Sequence, residues 1–233
     1  MSKRTEADTQ TAHRLAELWE ANAALWARAI SEGRIPSRRQ TDTAILTSIS
    51  RHGGGRVLDL GCGEGWLVRR LSSEVGCQVT GIDGSPALIG AARRAHPGGD
   101  YRHMTYADFV AAPEAVGGSY DAVVVNFALF DDLAHELLAA AASRLTLGGA
   151  LIVQTLHPWS SAADDYRHGW RIENFADIAT EGEAWVPVPW YFRTLEGWVA
   201  LVRDAGLTVA DLREPRDAQE KLLSLLLVGR RTR

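Results

Sequence analysis

The chain has 233 residues, 46% apolar and 23% charged, and its 25 Lys and Arg stand against 29 Asp and Glu for a net charge of −4. Such a length and balance allow one large core and exclude wholesale disorder. The basic excess that grips phosphate backbones is missing, which argues against a nucleic-acid partner, and no apolar run reaches the ~18 to 20 residues of a membrane helix.

Met1 to Gln10 is polar, mixed in charge and has no apolar signal core, so the expected location is the cytoplasm. Thr11 to Ile30 carries Leu15, Leu18, Trp19, Leu25 and Trp26 at three- and four-residue steps and predicts a helix, which Gly33 and Pro36 end. Thr41 to Ser50 predicts a second, shorter helix, so residues 1–52 read as a helical cap. From Arg56 strands and helices alternate: strand Arg56 to Leu60, helix Trp66 to Glu74, strand Gln78 to Ile82, helix Pro86 to Ala95 and strand Tyr101 to Thr105. A weaker helix over Val110 to Val116, strand Tyr120 to Phe127, helix Leu133 to Leu145 and strand Ala150 to Thr155 follow. That alternation means a doubly wound α/β fold with a parallel sheet, whose ligands sit at the carboxyl ends of the strands. His157 to Trp190 then reads as irregular, with five of the eight tryptophans in it or near it. Thr194 to Ala205 returns to helix, and Leu207 to Arg213 and Lys221 to Gly229 read as strands with no helix between, hence antiparallel.

The segment Val57-Leu-Asp-Leu-Gly-Cys-Gly-Glu-Gly-Trp66 places Gly61, Gly63 and Gly65 at alternate positions between a strand and a helix. Glycines there let the backbone turn against a ligand while helix N–H groups point at it. A dinucleotide fold prefers G-x-G-x-x-G, and Trp66 occupies the place of its third glycine. Asp83 ends the second strand, where a carboxylate can accept hydrogen bonds from a ribose diol; Asp108, beside Phe109, follows the third.

Together these residues resemble the class I S-adenosylmethionine-dependent methyltransferases over residues 56–155 and the terminal antiparallel pair. The resemblance implies a seven-stranded, mostly parallel sheet of order 3-2-1-4-5-7-6 with strand 7 antiparallel, and S-adenosylmethionine as cofactor. It implies cofactor-binding roles for Asp59, Gly61, Cys62, Gly63, Asp83, Gly84, Asp108 and Phe109. The segment Asn126-Phe-Ala-Leu-Phe130, closing the fourth strand, borders cofactor and acceptor in related enzymes, with Asn126 counted among the cofactor-binding residues; it is unlike the Asn-Pro-Pro-Tyr of amino-group methylation in nucleic acid or protein. More narrowly, the chain is similar to small-molecule methyltransferases of quinone and natural-product pathways, sharing the Trp-containing leader, Gly33 to Arg39 and Trp190 to Thr194.

Methyl transfer from a sulfonium is an in-line displacement, so the protein's part is mostly alignment and exclusion of water. A general base is needed only for a protonated acceptor, and His157, just past the fifth strand, is the candidate; a hydrogen-bonded loop residue is the alternative. Trp159, Tyr166, Trp190, Tyr191 and Arg193 are candidates for acceptor binding, on a lid-like insertion over 156–193 that could equally be core; residues 194–233 close the single domain. Arg38 and Arg39 are expected in solvent rather than on the cofactor. No His or Cys spacing suggests a metal site. The expected activity is methylation of an oxygen or nitrogen on a small aromatic or heteroaromatic acceptor. A nicotinamide-dependent oxidoreductase and a non-catalytic S-adenosylmethionine-binding module are the rivals.

Overall fold

A computed structural model describes residues 6–162 and 164–232, with side chains described from Arg14 onward. Met1 to Thr5 of the polar leader and Ala163 of the insertion lie outside the described residues. Two helices, α1 (Glu6–Ser31) and α2 (Arg38–His52), precede strand β1 (Arg56–Leu60). Strand β1 pairs parallel with β2 (Gln78–Asp83) on one side and with β4 (Tyr120–Asn126) on the other. Strand β3 (Asp100–His103) extends the sheet beyond β2, and β5 (Leu145–Leu156) extends it beyond β4. β1 and β4 are buried on both faces, which is why Val57-Leu58 and Val123-Val124-Val125 run without polar alternation.

After β5 come the single turn α7 (Pro158–Ser161), the hairpin β6 (Gly169–Glu173) and β7 (Val188–Phe192), helix α8 (Leu195–Asp204), and strands β8 (Thr208–Arg213) and β9 (Ser224–Arg230). β9 lies antiparallel between β5 and β8. The seven-stranded sheet runs β3-β2-β1-β4-β5-β9-β8, the expected order once the hairpin's two strands are set apart. Helices α3 (Trp66–Arg70), α4 (Pro86–Ala95) and α2 pack on one face through Ile45, Leu67, Val68 and Ile89. On the other face α5 (Tyr106–Ala111), α6 (Ala134–Ser143) and α8 pack through Phe109, Leu137 and Trp198.

The structure corrects the sequence expectations in two places. Helix α5 starts at Tyr106, and the expected helical span Val110 to Val116 ends in a 3-10 turn over Pro113–Val116. Thr105 and Asp108 form a reciprocal capping box that starts the helix early, and Pro113 restricts Ala112 and ends it. The second correction is the hairpin in the segment expected to be irregular, where Gly169 pairs with Phe192 and Glu173 with Val188. Its strands lie too far apart in sequence for a short-turn signal to reveal them.

The insertion is bound to α1. Leu15, Trp19 and Trp26 join Phe130, Phe175, Trp185 and Val188 in a third apolar cluster. Fully buried Asn22 donates to the Val186 carbonyl at 2.8 Å and accepts from the Val186 N–H at 2.9 Å. Truncating Asn22 to Ala strands both backbone groups. The expected loss is about 2 kcal/mol in urea denaturation, with faster proteolysis inside residues 174–187. Unchanged cleavage there would mean that the insertion is held by its aromatic contacts alone.

Candidate functional site

β1 ends in the glycine loop, and the N–H groups of Gly61 and Cys62 both donate to the Ile82 carbonyl at 2.9 Å, tying the loop to β2. Gly61 has φ +76°, and a Cβ there would lie 2.5 Å from the Tyr106 hydroxyl and from Ala128, so only glycine fits. Gly63 also has a positive φ, +56°, but nothing lies within 4 Å of its missing side chain. It faces open space, and its N–H donates to Asp83 Oδ2 at 2.9 Å.

Asp83 accepts with its other oxygen from Ser85 N–H at 2.8 Å. Burial pushes its carboxyl above the ordinary value, and the two amide bonds work against that rise. Ser85 caps α4 by accepting from Leu88 N–H at 3.1 Å, and its hydroxyl donates to the Glu20 carboxylate of α1. Asp59 lies behind the loop, 2% exposed, and is pushed up to about 7 by burial and then by the nearby Asp83 charge.

These groups open on a cavity of about 290 Å³. Gly61, Gly63, Asp83, Gly84 and Ser85 form one end, and Thr105, Tyr106 and Ala107 flank it. Phe127, Ala128, Phe130 and Asp131 make a wall beyond the fourth strand, and Leu15, Trp19 and Trp26 of α1 cover it. Trp19 stacks on Phe130 at 5.0 Å between centroids and 25° between planes. Phe127 holds φ +50°, a left-handed conformation that a non-glycine residue adopts at a cost, typical of sites where the backbone serves a ligand. Four hydrogen bonds fix this wall. Phe127 N–H donates to Gln154 at 2.7 Å, the Tyr106 hydroxyl to Ala128 at 2.9 Å and Tyr191 N–H to Phe130 at 2.8 Å. The Arg193 guanidinium donates to the Asp131 carbonyl.

Of the residues expected to bind cofactor, Gly61, Gly63, Asp83 and Gly84 line this cavity. Cys62 is turned into the core against Gly81, and burial pushes its thiol up. Asn126 ends β4 with a buried Oδ1 that has no hydrogen-bond partner among the described residues. Asp108 is exposed and its carboxylate accepts from Thr105, which lowers its pKa, while Phe109 is buried in the core. Their neighbours Tyr106 and Ala107 line the cavity instead.

The structure gives His157 a structural place, away from the cavity lining. Its Nδ1 accepts from Trp159 N–H at 3.2 Å, so the ring proton sits on Nε2, 3.0 Å from the Glu214 carboxylate. Nδ1 caps α7, and Nε2 joins the end of β5 to the segment after β8. None of the five expected acceptor-binding residues lines the cavity either. Trp159 is 72% exposed, Trp190 packs edge-on to Phe192, and the Tyr166 hydroxyl accepts from Leu195 N–H at 2.9 Å. Tyr191 and Arg193 act at one remove, through the wall that they fix. Arg38 pairs with Asp42 and lies 4.4 Å over the Trp66 ring, and Arg39, also on α2, lines a separate cleft beside Asp211 and Arg213 of β8. Sequence reasoning pointed to the segment Asn126 to Phe130 but missed Ser85, Tyr106 and Asp131 as lining residues, and the covering role of Trp19 and Trp26. The run Phe127-Ala-Leu-Phe-Asp131 directly after a buried strand was the available signal.

Residues 57–149, which hold the glycine loop and Asp83, match the methyltransferase domain family. This stretch has the sequence of a methyltransferase domain, and the sheet around it has the order that the class I resemblance implies. A ubiquinone biosynthesis O-methyltransferase of Xanthomonas campestris pv. campestris is 39% identical over 111 residues, which is 45% of this chain and 44% of that protein. The chain therefore spans less than half the length of that relative. An S-adenosylmethionine-dependent methyltransferase structure from Mesorhizobium loti matches with TM-score 0.60 and 23% identity, over 81% of this chain and 96% of that one. Burkholderia thailandensis 1,6-didemethyltoxoflavin-N1-methyltransferase matches with TM-score 0.64 and 15% identity, over 100% of this chain and 94% of that one. At these identities the two structures share the fold of the methyltransferase domain.

Asp59 gives the domain a pH signature. A carboxyl raised to about 7 in the folded state holds its proton more tightly than the unfolded chain does. Its burial costs nothing below the ordinary carboxylate pKa of about 4, and the cost grows as pH rises to about 7. Asp59→Asn removes that titration. The ligand-free variant should be more stable than the wild type at pH 8 by a few kcal/mol, with the gap closing towards pH 4. Urea denaturation at the two pH values measures it, and a gap of equal size at both would contradict the assignment.

Proposed function

We propose that the protein transfers the methyl group of S-adenosylmethionine to an oxygen or nitrogen of a small aromatic or heteroaromatic acceptor. One observation carries this: a single cavity runs from Gly63 and Asp83 to the aromatic wall of Trp19, Trp26, Phe127 and Phe130. Its two ends suit two different occupants, one polar and one flat and apolar.

The residues at the polar end fit the cofactor. Each Asp83 oxygen accepts one backbone bond and keeps a lone pair for a ribose hydroxyl. The open face of Gly63 leaves room for close approach, and Tyr106 and Ala107 flank the space a flat ring would take. Ionised Asp59 behind the loop favours a cationic ligand, which would in turn lower its raised pKa. When bound, the cofactor supplies an activated methyl group on a positively charged sulfur. The chain's own work is to orient the acceptor between Phe127, Phe130 and Trp19 and to keep water out beneath α1.

The comparisons support this without reaching the substrate. The Xanthomonas relative is an O-methyltransferase by name, and the Burkholderia N1-methyltransferase structure holds S-adenosylhomocysteine and 1,6-didemethyltoxoflavin. Thermal melting tests the proposal. S-adenosylhomocysteine at about 100 times its Kd should stabilise the protein by about 2.7 kcal/mol, and NADH should not. Asp83→Ala should lose most of the shift, because charge-assisted bonds to the ligand and the tie to Gly63 disappear together. A shift with NADH and none with S-adenosylhomocysteine would make the cavity a nicotinamide site.

A further inference from the structure

Helix α1 gives Leu15, Ala16, Trp19 and Trp26 to the cavity lining, so it covers whatever the cavity holds. Two polar side chains of the same helix fasten it to different parts of the molecule. Asn22 holds the insertion through both backbone groups of Val186. Glu20 holds the turn after β2: its carboxylate accepts from the Ser85 hydroxyl and, at 3.4 Å, from the Ala87 N–H. Two residues along an α-helix is a rotation of about 200°, so the two side chains leave α1 on nearly opposite flanks. The helix is pinned on both sides, and its apolar stripe faces the cavity between the pins.

The pins differ in what they join. Ser85 lines the cavity and Val186 does not. Ser85 is buried, and each of its polar hydrogens is engaged: the hydroxyl donates to Glu20, and the N–H donates to Asp83 Oδ1 at 2.8 Å. The same hydroxyl accepts from Leu88 N–H at 3.1 Å and so caps α4. A chain of hydrogen bonds therefore runs from α1 through Ser85 to the carboxylate that also holds the Gly63 amide. A carboxylate suits this place, because Ala87 N–H is one of the unpaired amides at the start of α4 and the helix dipole favours negative charge there. It also stands near Asp83, and its charge adds to the rise that burial causes in the Asp83 pKa.

We infer that Glu20 is a positioning residue for cofactor binding: through Ser85 it latches α1 over the glycine-loop end of the cavity and slows the ligand's release. The inference rests on S-adenosylmethionine occupying that end, as proposed above. With the latch broken, Asn22 and the aromatic cluster still hold α1 to the insertion. The helix is then free to lift on the Asp83 side alone, and the turn that sets the Ser85 amide against Asp83 loses its support. A ligand held at Asp83 leaves faster, while Phe127 and Phe130 keep their own backbone bonds at the far wall.

The test measures release of radiolabelled S-adenosylhomocysteine from the loaded protein into an excess of unlabelled ligand. Glu20→Ala should release it about 10-fold faster, the scale of one hydrogen bond to a charged group. Glu20→Gln keeps an acceptor without the charge and should fall between, at about 3-fold. Glu20→Asp keeps the charge but loses the reach and should match Glu20→Ala, standing in for it if the alanine protein does not fold. Ser85→Ala should also speed release, and adding Glu20→Ala to it should change little, because the two act through one bond. Wild-type release from Glu20→Ala or Glu20→Asp, even with a lowered melting temperature, makes Glu20 a structural contact and overturns the assignment. So does a Glu20→Gln protein as fast as Glu20→Ala, or a double variant in which the two effects multiply. Failure of the wild type to bind S-adenosylhomocysteine removes the methyl transfer beneath the inference, an outcome distinct from these.

Discussion

The carboxylate of Asp83 spans the Gly63 and Ser85 amides at 2.9 and 2.8 Å, linking the loop after β1 to the turn after β2. Neither segment has regular structure to hold it there. With the paired bonds from Gly61 and Cys62 to Ile82, this bridge sets the loop's shape. The shape leaves Gly63 facing open space while Gly61 packs against Tyr106 and Ala128. A buried, partly desolvated carboxylate is a costly way to fix a loop. It is well suited to a loop whose ligand brings hydroxyl donors.

The second constraint is the cover. α1 and the β6–β7 insertion meet in a cluster of aromatic side chains that reaches the cavity through Trp19 and Trp26. The same insertion sends Tyr191 N–H and Arg193 to the carbonyls of Phe130 and Asp131. One element therefore both closes the site and fixes its far wall. Its aromatic residues act mainly through packing, which is their usual use. Glu20, accepting from the Ser85 hydroxyl, joins the cover to the end of the cavity where Asp83 sits.

The sheet order, the parallel core, the antiparallel closing pair and the glycine loop were legible because each rests on local signals: strand-helix alternation, glycines at fixed offsets and a short final connection. The place of Asp83 on the cavity was legible for the same reason, since it follows from lying at the end of β2. The segment after β4 was marked by the resemblance, but how the far end of the cavity is assembled was not legible. Phe130, Asp131, Trp19 and Trp26 come from segments more than a hundred residues apart, and no local pattern pairs a leader helix with the loop after β4. His157 misled because proximity to a strand's carboxyl end says nothing of where its nitrogens point. Trp159 N–H and Glu214 claim them. Asp108 and Phe109 were displaced from the cavity lining because the capping box starts α5 early and turns Tyr106 and Ala107 inward.

The central claim is that the glycine-loop end and the α1-covered end are one site, occupied together. Amide hydrogen exchange with and without S-adenosylhomocysteine tests it most directly, because it reports each backbone segment separately. The account predicts added protection at Gly61 to Gly65 and at Asp83 to Leu88, and in α1 around Trp19, since the cover rests on the ligand's end of the cavity. Protection confined to other parts of the sheet, or none at the glycine loop, would contradict it.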